Sequence, residues 1–231
     1  PYWKQLQKCS DSAISLFNFS SFLFQQRIGR FGKRDLMLID EAHNIEGELL
    51  KYVSLELTEW ALRIIDVEID RPVNSKAELV EWLREKDVAG RIGDRLEGCS
   101  KAGSARSDEL NPFNEDIAGE LDKAEADALR ELATKIANFL AYLEKTEWVI
   151  DSIAYPDRRG QTRKKITARP LYAASFADEL LFNKADRVLV MSATILDVAT
   201  WARNLGLDPA EIAHVQTPCD FPVANRPSHL E

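Results

Sequence analysis

The chain has 231 residues, 45% of them hydrophobic and 29% charged, which is ordinary for a soluble globular protein with room for one large domain or two. No apolar run approaches the roughly 20 residues that span a bilayer, and no secretory-leader pattern is present, so membrane insertion and export are not expected and a cytosolic chain is. A formal net charge of −8 argues against a protein that coats nucleic acid, while a local groove for one strand stays compatible with it.

Cys9, Cys99 and Cys219 lie far apart, an odd set without a CxxC pair, so reduced thiols are expected rather than a disulfide framework or a zinc site. His43, His214 and His229 show no HxxxH spacing. The first residue is Pro1 and not Met, which suits a piece of a longer polypeptide.

In chain order, residues 13–19 (AISLFNF) and 36–39 (LMLI) read as short buried strands bounded by polar residues. Between them, Phe19 to Arg30 forms a helix ending at Gly29 or an irregular crossover. From about Thr58 to Trp148 the pattern is helical, with no convincing strand. A helix is expected over Thr58 to Val67 with Thr58 as N-cap, and another from Ser75, where Ser75 and Glu78 fit a capping box and Leu79, Val80 and Leu83 form the apolar stripe. Residues 98–114 (GCSKAGSARSDELNPFN) read as a loop. A long helix follows from Asp116 to about Lys145, its acids between Asp116 and Glu131 forming a solvated face. Strand signal returns at Trp148–Ile153 and Lys165–Ala168, a hairpin around Pro156–Gly160, and again at Arg187–Met191. The last strand ends in Ser192-Ala193-Thr194, before a helix from about Asp197 to Leu205 that stops at Gly206. The economical architecture is one α/β layer interrupted by an all-helical insertion.

The chemistry gathers at two strand ends. Leu36–Ile39 runs straight into Asp40 and Glu41, adjacent carboxylates that call for a positive partner. Beyond the carboxyl end of a parallel strand, Asp40 is placed to hold Mg²⁺ against ATP phosphates, and Glu41 to orient or deprotonate a water. Ser192 and Thr194 supply hydroxyls for a neighbouring strand end such as His43, a contact able to report the γ-phosphate.

LMLIDEAHNIE resembles motif II of the superfamily 2 DNA helicases of the XPD/DinG type, and VLVMSATIL resembles their motif III. The helical block between them resembles that family's Arch domain. Asn18–Leu23, Leu171–Phe176 with Leu180–Phe182, and Phe221–Arg226 are similar to the segments flanking these motifs. The resemblance implies an incomplete RecA-like parallel-sheet domain (residues 1–57 and 148–217) interrupted by an Arch-like insertion (58–147), with 218–231 joining a second motor domain. It implies an ATP-dependent DNA helicase of 5′ to 3′ polarity, located in the nucleoid of a prokaryote or the nucleus of a eukaryote. Asp40 would coordinate Mg²⁺ and Glu41 would activate water, while His43, Ser192 and Thr194 would couple nucleotide state to DNA movement.

Single-stranded DNA is the implied partner. Phe17, Phe19 and Phe22 are the local stacking candidates, and Arg158, Arg159, Arg163, Lys164 and Lys165 the phosphate candidates. The acidic long helix would repel DNA, confining the strand or facing a protein partner. Pro1-Tyr2-Trp3 is similar to the tripeptide after the last cysteine of the family's 4Fe–4S cluster; Cys9 matches no cluster position, so these residues are expected to hold no cluster even if the parent protein does. No GxxxxGK-S/T phosphate loop occurs in the sequence, so the chain alone is expected neither to bind ATP well nor to hydrolyse it. Two other readings are an ATPase-dead scaffold of the same fold and an unrelated Mg²⁺-dependent phosphohydrolase, for which Asp197 is the only further carboxylate nearby.

Overall fold

The structure, a computed structural model, describes residues 2–27, 29, 31–105, 115–157 and 159–217. It is a mixed α/β protein with two hydrophobic clusters, one around a parallel pair of strands and one around an antiparallel sheet backed by helices.

The chain opens with helices α1 (Tyr2–Asp11) and α2 (Phe19–Arg27), of which α2 contributes Leu23 to the first cluster. Residues 13–18, expected as a strand, form a bend and an irregular segment with Ile14 and Leu16 about nine-tenths exposed. Two local interactions outcompete pairing there. The Arg34 guanidinium takes the carbonyls of Ser10 and Ser12 (2.7 and 3.0 Å), and the Asn18 side chain accepts the Ser21 amide (2.7 Å), opening α2 at the next residue. The helix alternative for the following segment is the one adopted, with Gly29 at φ 67° just beyond it.

Strand β1 (Arg34–Ile39) leads through a short 3₁₀ turn (Ala42–Asn44) into α3 (Ile45–Val53). It pairs in parallel with β5 (Ala185–Val190), Ile39 opposite Val190, and the two form a ladder of their own. Met37, Ile39, Val188 and Val190 face the cluster that includes Leu23, Ile45, Leu49 and Phe176. The opposite face leaves Leu36, Leu38 and Leu189 more than half exposed, and Met191 just beyond it 47% exposed. The expectation of fully buried strands is thus corrected: with two strands and helices against one side, half of each apolar run has no cover.

The second cluster holds β2 (Leu55–Thr58), α4 (Glu59–Arg63), α5 (Lys76–Glu85), α6 (Val88–Ala105), α7 (Glu115–Ala141), β3 (Trp148–Pro156) and β4 (Thr162–Pro170). The sheet order is β2-β4-β3, all antiparallel. Strand β2 has only four residues, too few for a period to show in sequence, and it pairs with β4 more than a hundred residues later. The hairpin therefore packs with the helices: Ile150, Ile166 and Ala168 share their core with Trp82, Leu129 and Phe139. The Phe139 and Trp148 rings meet edge to face at 4.8 Å.

Helix starts follow the expected chemistry with shifts in detail. Thr58 Oγ1 accepts from the Ala61 amide (3.2 Å), but α4 stops at Arg63 instead of reaching Val67. Ser75 caps α5 through the Glu78 amide (3.2 Å), while Glu78 reaches back one residue further, to the Asn74 amide (2.9 Å). Helix α6 continues to Ala105, through the first half of the expected 98–114 loop, because a helix already nucleated and packed extends at little cost; residues 106–114 lie outside the described set. Helix α7 ends at Ala141, four residues earlier than expected, in hydrogen-bonded turns. Near the C-terminus come α8 (Ala177–Leu180) and α9 (Val198–Asn204). At Gly206, φ is 72° and a Cβ would lie 2.8 Å from the Ala174 carbonyl, so only glycine ends α9 this way. Among the described residues no helix is long and apolar enough to cross a membrane.

Asp70 ties the start of the helical block to α5. It accepts from Lys86 Nζ (2.6 Å) and from the Trp82 indole (3.2 Å). These bonds, the Lys86 one foremost, lower its pKa to about 2. A carboxyl depressed on folding stabilises the native state above its ordinary value of 3.8 and loses that contribution as pH falls through about 2. Thermal melts across that interval should show the melting temperature of the native protein falling more steeply than that of Asp70→Asn, whose curve is flatter.

Candidate functional site

The site is built where β1 and β5 end side by side. Backbone bonding continues past the strands: the Met191 amide donates to the Ile39 carbonyl (2.8 Å), and the amide of Ala42, three residues beyond Ile39, donates to the Met191 carbonyl (2.9 Å). This brings the DEAH and SAT segments together at the carboxyl ends of parallel strands, the place where open α/β sheets present ligand-binding groups.

Within that corner Glu41 adopts φ 52°, ψ 46°, the left-handed region, at a cost of about 1–2 kcal/mol for a residue with a Cβ. Its amide donates to its neighbour's carboxylate, Asp40 Oδ1, at 2.8 Å. His43 Nδ1 lies 2.8 Å from Ser192 Oγ and 3.3 Å from Glu41 Oε2. Ser192 Oγ accepts the Thr194 amide (3.2 Å) and sits 3.3 Å from Thr194 Oγ1. Asp40, Glu41 and His43 are all exposed. A Ser–His–acid hydrolase needs the serine and the carboxylate on opposite ring nitrogens. Here both approach Nδ1, so Ser192 is not set up as a nucleophile.

A cleft of about 430 Å³ opens beside this corner, lined by Asn18, Phe19, Ser20, Asp40, Glu41, Asn44, Ile45 and Glu48. It falls within the range of small-ligand sites. Ser20 Oγ donates to Glu48 Oε2 (3.1 Å), which leaves Asp40 and Glu41 as the carboxylates without a side-chain donor from this wall. Mg²⁺ at nucleotide sites is commonly held by one or two carboxylates, waters and the phosphates themselves. That donor set fits Asp40, which keeps Oδ2 clear of the Glu41 amide.

The same loop is tied to the helical block through α3. Lys135 Nζ on α7 donates to the carbonyls of Lys51 and Tyr52 (3.0 and 3.3 Å), and Asn138 Nδ2 donates to that of Tyr52 (3.3 Å). These are last-turn carbonyls of α3, where a cation is favoured. Burial pushes the Lys135 pKa below its ordinary value.

The other residues singled out from sequence are dispersed. Phe19 lines the cleft, half-buried. Phe22 stacks against Phe31 with ring centroids 6.4 Å apart, and Phe17 meets Phe31 edge-on at 4.8 Å. Arg158 lies outside the described residues, and Arg159 is exposed at the hairpin tip. Arg163 is paired with Asp157 (3.0 Å) and Glu59 (3.5 Å), and the Asp157 bond holds it firmly charged. Lys164 Nζ reaches the Ile69 carbonyl (3.4 Å), and Lys165 pairs with Glu56 (3.1 Å). These last three cations fasten the hairpin to its neighbours. Asp197 is spent on capping α9, accepting from the amides of Ala199 and Thr200 and from the Thr200 hydroxyl. Of the cleft residues, Asn18 and Asn44 stand in segments that carry the family resemblance but take no role from sequence, and Glu48 is not singled out there.

If the left-handed backbone at Glu41 is held for function, relieving it should not harm the fold. Glu41→Gly should melt at the same temperature as the native protein or higher, by up to about 1 kcal/mol, and Glu41→Val should be destabilised by at least about 1 kcal/mol. Denaturant unfolding of the three proteins measures both.

Compared with known proteins, the sequence matches no protein-family model, and no curated protein matches it significantly.

Proposed function

We propose that the chain is the central part of an ATP-dependent DNA helicase of the XPD/DinG type: part of a RecA-like motor domain interrupted by an Arch-like insertion. The observation that carries this reading is the meeting of the two motifs. His43 Nδ1 and Ser192 Oγ, 149 residues apart in sequence, lie 2.8 Å apart at the carboxyl ends of a parallel ladder, with Glu41 in the same cluster. A chance DEAH in a surface loop would have no reason to find that partner.

In this reading Asp40 holds Mg²⁺ bound to ATP, and the ion supplies charge neutralisation at the phosphates. Glu41 takes the proton of the attacking water or orients it. His43, bridged to Ser192 and through it to Thr194, senses whether the γ-phosphate is present. The phosphate-binding loop, the second motor domain and any 4Fe–4S cluster belong to polypeptide outside these residues. The bare face of the ladder supports that arrangement, since parallel strands are ordinarily covered on both sides. Single-stranded DNA is the proposed polymer substrate.

The test is steady-state ATP hydrolysis by the full-length protein, with and without single-stranded DNA, beside Glu41→Gln. DNA-stimulated hydrolysis that falls by about a hundredfold or more in the variant, with ATP binding retained, is the expected result. An intact protein that binds DNA but does not hydrolyse ATP would replace the motor with a scaffold.

A further inference from the structure

The left-handed turn at Glu41 is held by three consecutive peptide groups, each with its own partner. Asp40 Oδ1 accepts the amide of Glu41 (2.8 Å). The Met191 carbonyl accepts the amide of Ala42 (2.9 Å). The carbonyl of Ala42 accepts the Ile45 amide within the 3₁₀ turn and, from outside it, the indole N–H of Trp201 (3.1 Å). Ala42 itself is fully buried, so its peptide groups have no water to turn to.

Trp201 comes from α9, which is itself well anchored. Asp197 caps its start, Gly206 ends it, and Asn204 on the same helix donates to Glu46 Oε2 (3.1 Å) in the first turn of α3. The helix lies four residues after Thr194 in sequence. The segment that supplies the Ser192 and Thr194 hydroxyls therefore also supplies the group that fixes the backbone between Glu41 and His43. This second link is separate from the His43–Ser192 contact.

We infer that Trp201 is a positioning residue for the Glu41 and His43 pair, acting through the Ala42 carbonyl. The inference rests on the proposed reading of Glu41 as the group that handles water. The indole N–H sets the orientation of the peptide joining Ala42 to His43, and thereby the direction in which both flanking side chains leave the loop. A left-handed non-glycine residue relaxes unless its surroundings over-determine it, and here the indole bond, beside the local Ile45 amide, is a side-chain constraint on the Ala42 carbonyl that one substitution removes.

Trp201→Phe keeps an aromatic ring, loses the five-membered half of the indole and deletes the donor. In the full-length protein it should lower kcat for DNA-stimulated ATP hydrolysis by about tenfold, the reach of one buried hydrogen bond. KM for ATP, DNA affinity and melting temperature should stay near native values. A second measurement is independent of turnover. The indole N–H signal that disappears in Trp201→Phe should exchange with solvent more slowly than that of Trp60, which is 60% exposed. Native kcat in the variant overturns the inference and leaves the motor reading standing. A joint fall in kcat and melting temperature reduces Trp201 to a packing residue. Exchange as fast as Trp60 removes the hydrogen bond on which the inference rests. A native protein without ATP hydrolysis overturns both readings.

Discussion

The structure depends on one short parallel pairing. Strands β1 and β5 are separated by about 150 residues of chain, and closing a loop that long is repaid only if the pairing buries apolar surface and satisfies backbone groups together. It does both: one face packs on Leu49 and Phe176, and backbone bonding continues past the strands through Met191, one residue beyond β5, to Ala42, three beyond β1. That extra step converts a pair of strands into a corner that holds chemistry. Without the Met191 carbonyl on the Ala42 amide, the left-handed turn at Glu41 would lose its central anchor, and His43 would have no fixed relation to Ser192.

The two hydrophobic clusters divide the work. The cluster around the parallel ladder supplies the corner and cleft, while the cluster around the antiparallel sheet has a buried centre of its own that includes Trp82 and Phe139. Basic residues of the hairpin serve mainly to hold that body together, as the pairings of Arg163 and Lys165 illustrate. Surface pairs of this kind contribute about 0–1 kcal/mol each, so their significance is geometric: they set which cations remain available to a ligand.

Much of the site could be read from the sequence, and the reasons are local. An apolar run ending in Asp40-Glu41 and another ending in Ser192-Ala193-Thr194 are contiguous signals. So are the capping residues Thr58 and Ser75 and the stop at Gly206, because each acts within four residues of itself, whereas Asp197 reads as the first residue of its helix and proves to be its cap. What escaped was non-local. Residues 13–19 carry a strand-like composition, yet no neighbour pairs with them and Asn18 turns them into a helix start. Strand β2 exists only because β4 lies beside it. Which side of the ladder is bare depends on what packs against it, and Trp201 reads as an ordinary helix aromatic until Ala42 is placed under it. Phe22 likewise carries no cue in its own neighbourhood that it stacks on Phe31.

The clamp at the end of α3 joins the two hydrophobic clusters. Helix α3 carries the DEAH corner at its amino end, and Lys135 and Asn138 grip its carboxyl end. Both gripping residues sit near the close of a helix whose first residue, Glu115, is 20 positions before Lys135, about 30 Å away at 1.5 Å per residue. Leu129, Leu132, Ile136 and Phe139 of the same helix are buried in the second core, so the grip fastens the carboxyl end of α3 to that core while its amino end carries the corner.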